Sequence, residues 1–265
     1  MMLGRLPHDP AALARAPSLA GHKLAAMLPS PVIDRRSVPF QPRPFWNGSM
    51  VPVSQTPELP DCTAAMVANL ALGIGALNGF QPIILDPTVP AFYADTIGQP
   101  GATLAALAGT QGAVMLDVMR YAATRGFSTG AQLLVPRFGT LAVDRTRIAA
   151  AIDRLGGAAL GVTLYQRDMD TAGSGASWTP DNPGPVLGGH ALMAWSYTGL
   201  GDTDTVLLAT WGGFQPATWP WIEARTDEAY GMVFDQLGQT DGLSLGVDFA
   251  ALDAALAGMT ATATP

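Results

Sequence analysis

The chain has 265 residues, 48% hydrophobic and 13% charged, with a formal net charge of −7. That length allows one large domain or two small ones with a sizeable core, and the composition excludes a disordered polyelectrolyte, which needs high charge and few apolar groups. Its 14 Lys and Arg form no run, which excludes a nucleic-acid surface, since phosphate neutralisation needs clustered cations.

Residues 1–45 read as an N-terminal extended arm, rich in Pro and Arg. Residues 1–60 hold six bases (Arg5, Arg15, Lys23, Arg35, Arg36, Arg43) against three acids, whereas residues 151–265 hold three bases against thirteen acids. The arm offers one short helical candidate, Pro10 to Met27, and extends after Pro29. An extended segment cannot satisfy its own backbone groups, so it is expected to lie on the acidic body or on a protein neighbour. Removal of residues 1–40 is then expected to leave the body folded but to weaken its stability or assembly, without switching on a peptidase. No secretory signal forms, because Pro7, His8 and Asp9 arrive before any apolar stretch; a cytoplasmic or virion location follows as the expectation.

Residues 46–235 form the body. Its first part reads as helices, over Thr63–Leu77, Gly112–Arg125 and Arg145–Leu155. Two uncharged stretches, Cys62 to Leu85 and Thr96 to Leu116, approach membrane-span length. Both carry Gln and Pro, so they read as buried helices of a soluble domain, with no membrane partner. Strands follow over Ala158–Tyr165, His190–Tyr197, Thr205–Thr210 and Tyr230–Phe234, with Gly, Asp and Pro turns between them. Residues 236–265 close the chain with a helix, Asp248–Ala257, and an Ala/Thr tail. Helices first and antiparallel strands afterwards is the α+β pattern.

The chemistry can be sought by elimination. A single Cys excludes an internal disulfide framework and a Cys-cluster zinc site, and no cofactor is implied. Cys62, in Pro60-Asp61-Cys62-Thr63, stands at a helix start. Exposed N–H groups and the helix dipole there favour a thiolate and lower the Cys pKa, although the neighbouring Asp61, a possible N-cap, opposes it. A thiol nucleophile needs a base, usually imidazole. Two of the three histidines, His8 and His22, lie in the arm; His190 opens a strand in Gly188-Gly189-His190-Ala191.

Taken together these residues resemble the papain-like cysteine peptidases, with the flavour of divergent bacterial and phage members. His190 follows Cys62 by 128 residues, close to the family separation. Trp46-Asn47-Gly48 through Val51-Pro52-Val53-Ser54-Gln55 is similar to the segment that leads to the family's oxyanion glutamine, which matches Gln55. Gly112 to Tyr121 resembles the second helix, and Ala209-Thr210-Trp211-Gly212 the Asn-Ser-Trp-Gly strand end. The resemblance covers about residues 40–235. It implies a papain-like fold whose helical half carries the Cys and whose β half carries the His, with Cys62 as nucleophile, His190 as base, Gln55 in the oxyanion hole and a peptide or protein as substrate.

Three departures stand out. The asparagine that orients the imidazole falls on Ala209, so Thr210 is the possible orienter, given a shift of register. Gln55 lies seven residues before Cys62 where the family usually has six. The arm is too short and Pro-rich for the helical inhibitory domain of papain-like zymogens, so it is expected to dock rather than to inhibit. Two functions therefore stand side by side: a Cys-His peptidase or related thiol acyl hydrolase, and a papain-fold binding or structural component, for example of a phage virion, with its chemistry reduced or lost.

Remaining motifs read as structure. Asp168-Met169-Asp170 imitates a calcium loop but lacks its closing acid, and Gly199 to Asp204 is a hairpin. Trp211, Trp219 and Trp221 read as β core rather than cleft lining. Asp227-Glu228 near Tyr230 fits either a solvated turn or a partner contact.

Overall fold

The computed structural model describes residues 3–50, 55–80 and 82–261. The chain opens on a short strand, β1 (Arg5–Leu6), and a helix, α1 (Pro10–Ala14), whose first turn is capped by the Asp9 carboxylate. The helix expected to reach Met27 stops there because Ala16 precedes Pro17, and a residue before proline avoids the helical region. Two single 3-10 turns, Leu19–Gly21 and Lys23–Ala26, continue the path.

α2 (Cys62–Leu77) is apolar almost all round and nearly wholly buried, as such a helix must be. α3 (Thr88–Thr96) and α4 (Leu104–Ala108) follow. The second uncharged stretch is therefore not one buried helix: Gly98 and Gly101 take left-handed backbone around Pro100, and Ala105 and Ala106 face solvent. β2 (Ala113–Val114) leads into α5 (Met115–Arg125), which ends at Gly126. A small hairpin, β3 (Phe127–Ser128) with β4 (Leu133–Leu134), precedes β5 (Arg137–Leu141). α6 (Arg145–Leu155) begins at Asp144, whose side chain accepts from the Arg147 N–H, and ends at left-handed Gly156.

The remaining elements are β6 (Ala158–Tyr165), α7 (Gln166–Thr171), β7 (Val186–Tyr197), β8 (Thr205–Thr210), β9 (Gly213–Thr218), α8 (Trp219–Arg225), β10 (Thr226–Val233), α9 (Gly242–Leu245) and α10 (Phe249–Ala261). The main sheet runs β2-β1-β7-β6-β10-β5, with β8 pairing β7 and β9 pairing β8. All of these pairs are antiparallel except β1 with β2. β7 is long enough to serve twice, meeting β1 at Gly189 and β8 from Met193 onward, so the sheet curls. The architecture is mixed α+β with a curled antiparallel sheet, as the sequence implies.

Strand alternation builds a core on each face of the sheet. Ala159, Ala191, Met193 and Trp195 pack with α2, α3 and α5; Leu160, Leu192 and Ala194 pack with α6, Trp178, Trp219 and Trp221. The first 45 residues contribute to both: Phe40 and Phe45 join the first core, Leu19 and Leu24 the second. Buried Arg35 donates to the carbonyls of Ile152, Gly156 and Trp195. Burial of Leu19 and Leu24 against α6 and β5 makes this segment part of the hydrophobic core, so its removal would uncover apolar surface on the body. No helix among the described residues is long and apolar enough to cross a membrane.

Candidate active site

Cys62 is the first residue of α2. The Asp61 carbonyl begins the helix by accepting from the N–H groups of Ala64 and Ala65, both at 2.9 Å. The Asp61 side chain, in contrast, does not cap: it is fully buried and neither carboxylate oxygen has a hydrogen-bond partner. Burial pushes its pKa well above the carboxylate range, and the nearby Asn47 amide, outside hydrogen-bonding geometry, opposes the rise only in part. Asn47 in turn donates to the Leu59 carbonyl, which fixes the loop ahead of the helix.

The backbone N–H groups of Ala191, next to His190, and of Gly4 in the arm lie near the Cys62 sulfur and favour its thiolate. Burial nevertheless pushes the thiol up to about 12, against the opposing pull of the Ala191 N–H and with Asp61 adding to the rise. The lowered pKa expected from the helix terminus is therefore not found in this state, because desolvation of the thiolate outweighs the N–H groups.

His190 lies on β7, beside the strand neighbour that touches Cys62. Its Nε2 is 2.6 Å from Thr210 Oγ1, and its ring stacks on Trp211 with centroids 4.4 Å apart and planes at 22°. Nδ1 is buried and has no hydrogen-bond partner, so no hydrogen bond joins it to the Cys62 sulfur. Burial first, then the Arg5 cation, lowers the imidazole pKa to about 3. The pair is held as neutral thiol and neutral imidazole.

The strand register explains which residue meets the imidazole. Ala209 is opposite Met193 and shares its face, in the first core. Thr210, one residue on, points to the other face, where His190 and Trp211 stand. Trp211 and Gly212 form the two-residue turn into β9, with φ of 46° and 70°. A left-handed non-glycine residue costs about 1–3 kcal/mol, and what it achieves here is an indole laid over His190. Trp211, Trp219 and Trp221 are all buried core, as expected, and Trp211, one residue after Thr210, in addition stacks on His190. Gln55 is half-buried, with its side-chain oxygen accepting from the Trp46 N–H at 3.1 Å. Residues 51–54, which carry part of the resemblance, lie outside the described residues.

The arm docks on the body, and it does so over this site. β1 fills the gap between β2 and β7: the Gly4 carbonyl accepts from Ala113 N–H at 2.8 Å, and Arg5 stands opposite Gly189. The groove is lined by glycine for a steric reason. A Cβ at Gly112 would lie 1.9 Å from the Gly4 oxygen, and one at Gly189 2.3 Å from the Arg5 oxygen. Under this cover Cys62 and His190 are each 1% exposed. The expectation that the arm docks without obstructing the site is corrected by the position of Gly4 at the sulfur.

The Arg5 side chain is buried against Asp227 (Oδ2 at 2.6 Å) and Glu228 (Oε1 at 2.7 Å). This pair is neither a solvated turn nor, in this chain, a contact with a separate partner. His8 Nδ1 is 3.8 Å from the same Glu228 oxygen. His8, Asp227 and Glu228 could together offer ligand atoms to a cation, but the Arg5 guanidinium already bonds both acids. Asp168 is structural, accepting from the Tyr165 N–H and the Trp221 indole. Gly199–Asp204 is the β7–β8 hairpin turn, closed by Gly201 N–H to Asp204 Oδ2 at 2.7 Å.

No protein-family model matches the sequence, and the curated proteins yield no match either. Solved structures do match. Xylellain, a cysteine protease from Xylella fastidiosa, superposes with a TM-score of 0.63 at 15% identity, over 87% of this chain and 95% of that one. Procathepsin B S9 from Trypanosoma congolense superposes with a TM-score of 0.54 at 11% identity, over 88% of this chain and 86% of that one. The chain therefore has the fold of the papain-like cysteine proteases.

Proposed function

We propose that the chain is a papain-type cysteine peptidase, or a related thiol acyl hydrolase, held in a covered state by its own arm. The observation that carries the reading is the His190 environment. Thr210 engages Nε2 and Trp211 covers the ring, which leaves Nδ1 as the nitrogen free to serve a nucleophile. Cys62 lies at a helix start against the next residue of the same strand. A structural histidine in a core would ordinarily have both ring nitrogens satisfied, because an unpaired buried polar atom is costly.

In the uncovered site the Cys62 thiol proton passes to His190 Nδ1 as the sulfur attacks the carbonyl carbon of the scissile bond. The negative charge that develops on the carbonyl oxygen is met by the Cys62 N–H and the Gln55 amide. The imidazolium then gives its proton to the departing amine. Water, deprotonated by His190, cleaves the thioester and restores the thiol. Thr210 acts as positioning residue, fixing the ring angle as a third group does in other triads.

A second reading, a binding module without catalysis, is favoured by the neutral and buried state of the pair. One experiment separates the two. A Cβ at Gly4 would lie 2.0 Å from the Pro60 carbonyl oxygen, so Gly4→Val cannot keep β1 seated. A thiol-directed acyl-epoxide should label Cys62 slowly in the native chain and at least tenfold faster in Gly4→Val, and His190→Ala in that background should remove the gain. Rapid labelling of Gly4→Val that is indifferent to His190 would show an exposed thiol without a base and overturn the peptidase reading.

A further inference from the structure

The contact that anchors the arm has the construction of a binding pocket. Arg5 does not lie along the surface. Its side chain crosses β6 at Gly161 and ends among Glu228, Asp227 and the Val162 carbonyl (3.2 Å), with only 3% of the side chain exposed. Gly161 is the floor: a Cβ there would lie 2.5 Å from Glu228 Cγ and 3.0 Å from Arg5 Cδ. Glu228 is wholly buried, and its second oxygen accepts from the Tyr230 hydroxyl at 2.7 Å. Neighbouring strand residues normally face opposite ways, yet Asp227 and Glu228 both reach one guanidinium. The register between β10 and β6 shifts between Thr226 and Glu228, and such a bulge re-aims a side chain.

A buried ionised carboxylate with no cation is strongly disfavoured, so the closed pocket favours a positive group beside Glu228. Arg5 supplies one in the covered state. Arg5 is also the residue paired with Gly189, next to His190, on the strand that covers Cys62. Any extended peptide that replaces β1 along β7 presents a side chain to the same pocket.

We propose that Glu228, with Asp227 and Tyr230, forms a subsite that selects a basic side chain, arginine above all, in an extended peptide bound along β7, and that Arg5 is the chain's own occupant of it. This rests on the peptidase reading for its link to Cys62, while the pocket itself does not. Two carboxylates at right distances from a planar fork favour guanidinium over ammonium, and citrulline, its neutral isostere, leaves Glu228 uncompensated.

The test uses the full chain carrying Gly4→Val and, should that variant not fold, Arg5→Glu, which sets like charges against each other. Peptidyl epoxides are compared that differ only in arginine or citrulline, placed in turn at each of three positions beside the reactive group. At one position the arginine probe should label Cys62 at least tenfold faster than the citrulline probe, and Glu228→Gln should bring the ratio of the two rates at that position to near one. Equal labelling by the two probes at every position overturns the subsite and leaves the peptidase reading intact. If Cys62 is inert to all probes, the peptidase reading falls. The pocket is then judged by fluorescence anisotropy of the same peptides without the epoxide: tighter binding of arginine that depends on Glu228 sustains it, and equal binding overturns it.

Discussion

A hydroxyl holds the imidazole of His190. Thr210 Oγ1 can donate or accept, so it fixes the ring without dictating the tautomer as strictly as an acid would. Thr210→Val keeps the shape and leaves Nε2 without a partner in a buried place. Such an orphaned group costs about 1–3 kcal/mol; lost from the transition state, that is a roughly 10- to 100-fold fall in kcat. In the arm-displaced chain we expect that fall with KM nearly unchanged, and Thr210→Ser should restore most of the rate; an unchanged kcat in Thr210→Val would remove the positioning role. Asp61 gives a pH-dependent signature. Burial holds its carboxyl neutral in the folded chain, whereas in the unfolded chain it ionises above its ordinary 3.8. The unfolded state therefore binds fewer protons, and stability falls as pH rises through that range. Asp61→Asn removes the penalty, so it should raise the melting temperature at pH 8 and confer little near pH 4. A gain that is largest in acid would contradict the buried neutral state.

Helices and strands were legible where local pattern and tertiary role agree. α6, with Asp144 before it and Gly156 after, and β6 and β8 have the limits that caps and alternation indicate. β9 and α8 escaped because proline sits inside them, at Pro216 and Pro220. An edge strand tolerates proline, and β9 pairs with one strand, β8, its other edge meeting a single bridge at Trp178 in which the Pro216 carbonyl accepts and no proline N–H is needed; in α8 the proline lies in the first turn, where no N–H partner is lost. Cys62, His190 and Thr210 were legible as residue types in order. The occupied groove was not, because β1 is two residues long and its pairing with β2 and β7 is set by glycines distant in sequence. Arg35 was legible only as arm charge, yet it ties the C-terminal carbonyls of α6 to β7 and stacks over Trp195. Those carbonyls have no partner within the helix. Arg35→Met keeps the aliphatic stem and strands them, and should cost about 3 kcal/mol, read as a lower denaturant midpoint with unchanged slope. A loss under about 0.5 kcal/mol, the level of an ordinary surface substitution, would mean that water replaces the guanidinium.

On the proposed reading the molecule has two states, with β1 seated, as observed, or released, and protons are expected to choose between them. With β1 seated, burial and Arg5 hold His190 to a pKa of about 3. Release removes both causes, so the imidazole returns toward its ordinary 6.5. Protons then bind the released state and not the seated one, and linkage favours release as pH falls through 6.5. Cys62 acts at the other end. Its thiol is pushed up to about 12 under the arm from an ordinary 9.0, so alkali above 9 also favours release, by ionising the uncovered thiol. The seat is thus firmest between about 6.5 and 9. A single amide reports it: the Ala113 N–H donates to the Gly4 carbonyl, a bond between body and arm that exists only when β1 is seated. Its hydrogen-exchange protection, corrected for intrinsic rate, should be level from pH 7 to 8.5 and fall about tenfold by pH 5.5, one unit below the free imidazole value. His190→Gln, which cannot take up the proton, should flatten the acid side. Protection that stays level down to pH 5 in the native chain would mean that His190 remains buried when the arm leaves, and that acid does not open the site.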